Sequence, residues 1–163
     1  MLFVSCRNPL LFYWMRFFLL CCTIAATLAS CSRQDQADRF LLRQVDMPNG
    51  GKLYAEAAVE QVEMIRGLMF RDSMPQDRGM LFLHNKMGRY PYWMFQVRIP
   101  LDIIWLDKNK VVVEILSNVP PCPHTKASEC PQHGGNQDAQ FVLELNAGRA
   151  AYYGVQIGSK IDF

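Results

Sequence analysis

From residue 40 onward the chain is a series of short apolar segments separated by turn residues. The segments "LLRQVDM" (41–47) and "KLYAEAAV" (52–59) flank "PNGG" (48–51), which predicts a β-hairpin. In "EQVEMIRGLMF" (60–70) the residues Val62, Ile65 and Leu68 or Met69 recur at helical spacing, with Gly67 and Pro75 limiting that helix. "GMLFLH" (79–84) and "YWMFQV" (92–97) read as strands. "LDIIWL" (101–106) and "KVVVEIL" (110–116) are rich in β-branched residues and surround "DKNK", a second hairpin. Both faces of these two runs are apolar, which places them in the core. "AQFVLEL" (139–145) predicts another strand and "NAGRAAYYG" (146–154) a short helix, capped by Asn146 and ended by Gly154. "SKIDF" closes the chain as a strand. Many short strands between turn signals predict an all-β sandwich or barrel.

The first forty residues follow a different pattern. Phe17 to Ala29 carries no charge, Arg16 stands just before it, and small residues end it. A positive residue, an apolar run of about 7–15 residues and small residues together form a secretory signal. A spanning helix needs about 20 apolar residues, which would draw Arg16 into the bilayer, so a cleaved signal fits better than a permanent anchor. The end of the run, Leu28-Ala29-Ser30-Cys31, resembles a bacterial lipobox, where cleavage precedes a cysteine that receives lipid. The resemblance implies a signal at 1–30, a lipidated Cys31, and a polar tether through residue 39. A single acyl chain holds a membrane weakly and two hold it firmly. Ser32 after the cysteine implies the outer membrane if the cell is Gram-negative. Residues 1–14 suit a signal poorly, and Met15-Arg16 makes a conventional beginning, so translation is expected to start at Met15.

Cleavage changes the charge and the cysteine count. The precursor has 17 Lys+Arg against 15 Asp+Glu, and Arg7 and Arg16 leave with the signal, so the mature chain is formally neutral. A neutral chain argues against a nucleic-acid surface or a polybasic membrane patch. Residues 40–163 suffice for one domain. Cys6, Cys21 and Cys22 also leave, and Cys31 is modified, so Cys122 and Cys130 face an oxidising compartment alone.

The blocks "RGLMFRDSM", "RGMLF", "YWMFQVRIPLDIIWLD", "VVVEI", "PPC…C" and "VLELNAGRAAYYGV…G", in this order, resemble the prokaryotic family known as domain of unknown function 192. The resemblance covers roughly residues 40–163. It implies a secreted or membrane-tethered protein whose fold is a compact jelly-roll-like β-sandwich with one or two short helices. It implies no reaction. In many relatives the tryptophan block reads like "FWMKNT", whereas Phe95, Gln96 and Val97 stand at the Lys-Asn-Thr positions here. Many also have a tyrosine after the second cysteine, where this chain has "CPQHGG" and His133.

Four constellations carry candidate chemistry. The loop "PPCPHTKASECPQHGG" (120–135) holds Cys122, His124, Cys130 and His133. Its ligand types suit tetrahedral zinc, the cysteine separation suits a disulfide, and free or redox-active thiols are a third reading. The second set is methionine: Met64, Met69, Met74, Met80, Met87 and Met94, with His84 among them. Thioethers suit copper(I), and Met74, Met87 and His84 fall in expected loops, but methionine also fills core gaps. The third is aromatic: Tyr90, Tyr92 and Trp93, with Gln96, can form a platform for a sugar or a partner, or pack inward.

The fourth set is charge within apolar runs. Asp102 and Glu144 are buried carboxylates by pattern, with Arg66 and Arg149 as partners. They form either structural ion pairs or a polar site of Arg66, Asp102 and Glu144 with acid–base capacity. The chain has no G-x-S-x-G, no H-E-x-x-H and no phosphate-binding glycine loop. The leading expectation is a lipid-anchored, non-catalytic envelope module, without a cofactor, that recognises a sugar polymer or protein through its loops and the 89–96 edge. Zinc or copper handling, and a hydrolase-like enzyme using the buried carboxylates, are the alternatives.

Overall fold

A computed structural model describes residues 42–163. The signal, Met15, Cys31 and the tether lie outside the described residues. The strands are β1 Leu42–Asp46, β2 Lys52–Ala58, β3 Arg78–Gly88, β4 Tyr92–Trp93, β5 Leu101–Leu106, β6 Val112–Val119, β7 Gln132–His133 and β8 Ala139–Asn146. Among the described residues there are also two short helices, α1 Gln61–Arg66 and α2 Arg149–Tyr152, and a 3₁₀ turn at Ala127–Glu129. Six strands form one mixed sheet in the order β1-β2-β3-β8-β5-β6, and β4 pairs with β7 beside it. The fold is mainly β and sandwich-like, and the sheet does not close into a barrel.

Both predicted hairpins form. The turn at 48–51 pairs β1 with β2, and the Asp107 carboxylate accepts from the Asn109 and Val111 amides in the turn between β5 and β6. The β2–β3 pair is parallel, with α1 in the crossover. Period-two alternation loads both faces of the sheet. One face packs Leu81, Ile104, Leu106, Leu143 and Leu145 against Tyr153 and Ile161. The other packs Phe82, Ile103, Trp105 and Val142 against Leu68, Met94 and Val97. Every residue of β5 is buried, as its two-sided apolar run predicts.

Four elements differ from expectation. Helix α1 stops at Arg66 and buries none of its residues; Val62 and Ile65 are exposed by 72% and 55%. One and a half turns is too short to seat an apolar stripe on the sheet, and the following residues Leu68 and Met69 turn inward instead. "YWMFQV" is extended only at Tyr92–Trp93, after which the chain turns at Phe95–Gln96. Asn146 does not cap α2: Gly148 takes that place, and the Asn146 amide donates to the Met74 and Pro75 carbonyls. The C-terminal "SKIDF" makes isolated bridges at Lys160 and Asp162 rather than a strand.

Candidate functional site

The two buried carboxylates fall on opposite faces of the sheet. In the β5–β8 register Asp102 lies opposite Leu145, and Ile103 opposite Glu144. The carboxylates are thus offset by one residue, and alternation points them apart. The expected three-residue site of Arg66, Asp102 and Glu144 therefore does not converge.

Asp102 is fully buried, and its carboxylate accepts from the Asn118 amide at 2.8 Å and the Ala150 amide at 2.8 Å. It ties the end of β6, where Asn118 adopts φ 56°, to the first turn of α2. Arg149 is not its partner. That guanidinium lies over the rings of Tyr152 and Tyr153, 3.7 and 4.7 Å from their centroids.

Glu144 is 4% exposed and has no hydrogen-bond or ion-pair partner among the described residues. Burial pushes its carboxyl up to about 8 from the ordinary 4.5. It borders a small, partly open cavity of about 30 Å³ together with Phe82, Tyr92, Trp93, Phe95 and Arg66. Tyr92 meets Phe82 and Trp105 edge-on at 5.0 and 6.0 Å, and its hydroxyl shares a hydrogen bond with His84 Nε2 at 3.2 Å. Burial first, then the nearby Glu144 and Tyr90, push the Tyr92 phenol well above its usual range. His84 stacks on Tyr90 with ring centroids 3.5 Å apart, and burial lowers its pKa. The sequence-predicted aromatic set is divided: Tyr92 and Trp93 line the cavity, Tyr90 braces His84, and Gln96 contributes its backbone.

Arg66, Gly67 and Met69 also border an outer cleft of about 370 Å³, with Glu56, Glu63, Phe70 and Arg71. Arg71 grips Glu56 with both terminal nitrogens at 2.6 Å. Glu63 accepts from the Val59 and Glu60 amides, which lowers its pKa and anchors the start of α1. Phe70 and Gln96 both hold a positive φ, 65° and 57°, and the Phe70 amide donates to the Gln96 carbonyl at 2.8 Å. Two non-glycine residues in that region, bonded to each other beside one cleft, are strain of the kind that collects at ligand sites. Glu56, Phe70 and Arg71 were not singled out from sequence, and Phe95 was noted only as a departure from the relatives' tryptophan block. The Glu56–Arg71 pair spans fifteen positions, and no local pattern reveals it.

The Cys/His loop does not assemble a four-ligand set. Cys122 and Cys130 stand at disulfide distance, with Cα atoms 5.7 Å apart. His124 faces Glu129 at 3.7 Å, while His133 belongs to β7 and pairs with Tyr92 in the small sheet. Among the described residues no group of three or more His, Cys, Asp or Glu side chains is placed to hold a metal. The expected copper set is dispersed as well: Met74 is buried near the start of β3, Met87 lies near its far end, and His84 is stacked on Tyr90. Beside β7, Gly134 at φ 63° lies flat against the Trp105 ring, where any Cβ would collide.

Two solved structures resemble this fold. A protein of unknown function from Novosphingobium aromaticivorans DSM 12444 is 28% identical with TM-score 0.64, covering 75% of this chain and 85% of that one. A protein from Sinorhizobium meliloti 1021, provisionally described as a transcription regulator, is 29% identical with TM-score 0.63, covering 73% and 89%. The profile of DUF192, described as an uncharacterized ACR, matches residues 44–163. That span takes in all of the sheet but the first two residues of β1, both short helices and the residues lining both cavities, and the chain belongs to the DUF192 family.

Proposed function

We propose that this protein is a lipid-anchored module of the cell envelope that binds an envelope component without catalysing its conversion. The observation that carries this reading is the lining of the two cavities. They share a wall and present guanidinium, carboxyl and aromatic groups, yet no Ser, Thr, Cys or His side chain lines either one. Recognition needs shaped walls and a few placed polar groups. Nucleophilic catalysis needs a nucleophile beside a base, and glycoside hydrolysis needs two facing carboxylates. With Asp102 on the other face, Glu144 meets no second carboxylate within its own cavity.

The anchoring reading rests on the signal, the lipobox and the point of chain entry. Leu42, the first described residue, pairs with Glu56, close to the start of α1. Val59, Val62, Ile65 and Phe70 are exposed there. An apolar rim at the tethered end suits a domain held against a bilayer, on the periplasmic face of the outer membrane in a Gram-negative cell. In that compartment Cys122 and Cys130 form a disulfide that closes the proline-flanked loop.

Membrane fractionation tests the anchor: the wild-type chain should pellet with membranes, and Cys31→Ser should stay soluble or unprocessed. Equal membrane retention of both would sink the anchor. Binding is read by thermal shift of the purified chain with solubilised envelope fragments. They should raise the melting temperature of the wild type and not of Arg66→Ala. Equal shifts for both proteins, or none for either, would reject the site.

A further inference from the structure

Glu144 is a buried carboxyl that meets no hydrogen-bond donor among the described residues. Such a group either keeps its proton or takes up a cation, because an isolated negative charge is too costly in an apolar site. Among the described residues no cation pairs with it. Arg66, from α1, borders the same cavity but makes no ion pair with it and is itself exposed. From β3, His84 is held toward the neutral form by burial, and from β4 the Tyr92 phenol stays neutral.

The walls decide which charge is welcome. Phe82, Tyr92, Trp93 and Phe95 all border the cavity. Aromatic faces carry negative charge density, so they attract an ammonium and disfavour an anion. The space of about 30 Å³ is open on one side and suits a small head group better than a whole sugar ring. Arg66, Gly67 and Met69 border both this cavity and the neighbouring cleft, where Glu56 and Glu63 add acidic lining and the rest of a ligand can lie.

We propose that the Glu144 cavity binds the primary ammonium at the end of a flexible alkyl chain, such as a lysine-type or diamine terminus, with the remainder of the ligand in the outer cleft. This deepens the binding reading given above. The ammonium displaces the Glu144 proton and forms an ion pair shielded by the aromatic walls. An amine set directly on a sugar ring fits less well, because the ring would have to follow it.

The test is calorimetric titration of the purified full chain with n-butylammonium, glucosamine and acetate at pH 6, 7 and 9. Butylammonium stays charged throughout, as an amine of lysine type with a pKa of about 10.4. Binding should tighten about tenfold from pH 6 to 7, since one proton is displaced per ammonium bound, and level off above pH 8 with Glu144's own titration. Glucosamine should bind at least about tenfold more weakly, one unit of log K, and acetate not at all. Glu144→Gln should abolish butylammonium binding. Phe95→Lys should abolish it too, by supplying an ammonium from within, with no loss of melting temperature. Butylammonium binding that survives Glu144→Gln, fails at pH 9, or is matched by glucosamine overturns the inference, as does acetate binding that strengthens in acid. If envelope fragments bind but butylammonium does not, the module stands and the ammonium site falls. If butylammonium binds and no fragment does, the ammonium site stands and the module reading falls.

Discussion

Asp102 and Glu144 are buried to nearly the same degree in adjacent strands, yet their surroundings are opposite. Asp102 meets two backbone amides at hydrogen-bond distance. Glu144 meets aromatic rings and a small void. The first carboxylate is satisfied by the fold and holds a strand end to a helix. The second meets no partner among the described residues, and burial raises the pKa of such an acid, so that it keeps its proton or takes up a cation. Burial alone therefore does not mark function; burial without a partner does.

The comparison breaks first at Asp102. Asp102→Ala removes two charge-assisted bonds and strands the Asn118 and Ala150 amides, and should cost about 5 kcal/mol in urea unfolding. A cost under about 1 kcal/mol would show that water replaces the carboxylate and that Asp102 is not architectural.

Glu144 should behave in the opposite sense. Its folded carboxyl titrates near 8, against 4.5 ordinarily, so between those values the folded chain holds a proton that the unfolded chain has released. Stability should fall as pH rises through that window and level off above it. Glu144→Gln should remove this slope and leave the variant more stable at pH 9 by on the order of 4 kcal/mol. Parallel pH profiles for wild type and variant would mean that Glu144 is solvated or paired after all.

The two smaller effects lie in the loops and the outer cleft. Cys122→Ser should lower stability by about 2–3 kcal/mol under non-reducing conditions, through the lost loop closure. Alkylation of both cysteines in the unreduced wild type would show that the pair is open. Arg71→Ala removes a partly exposed ion pair and should cost at most about 1 kcal/mol. It should weaken ligand binding more than stability if the cleft is the recognition surface, and a purely structural loss would argue against that role.

Much of the fold was legible in the sequence. The turn signals at 48–51 and 107–110 located both hairpins, and the two-sided apolar run at 101–106 marked a fully buried strand. Local patterns served less well where a segment's role depends on what packs over it. Val62 and Ile65 have helical spacing but face solvent, because α1 ends before a stripe can form. The 92–97 segment has a strand's composition but turns at Gln96 to meet Phe70. At the candidate site, Glu144, Arg66, Tyr92 and Trp93 were recognisable as unusual residues. Phe95 stood out only as a departure from the relatives' polar cluster, Phe70 carried no signal of its own, and the Glu56–Arg71 pair was invisible.

The sequence by itself determined that this chain is mainly β, which family it resembles, and that two acids sit inside apolar strands, because each of these is written in local alternation and block order. Whether those acids share a site was decided only by tertiary structure. Asp102 and Glu144 lie far apart along the chain, and the face each one takes depends on a non-local strand register. A one-residue offset in the β5–β8 pairing turned Asp102 toward two amides and Glu144 toward an aromatic cavity.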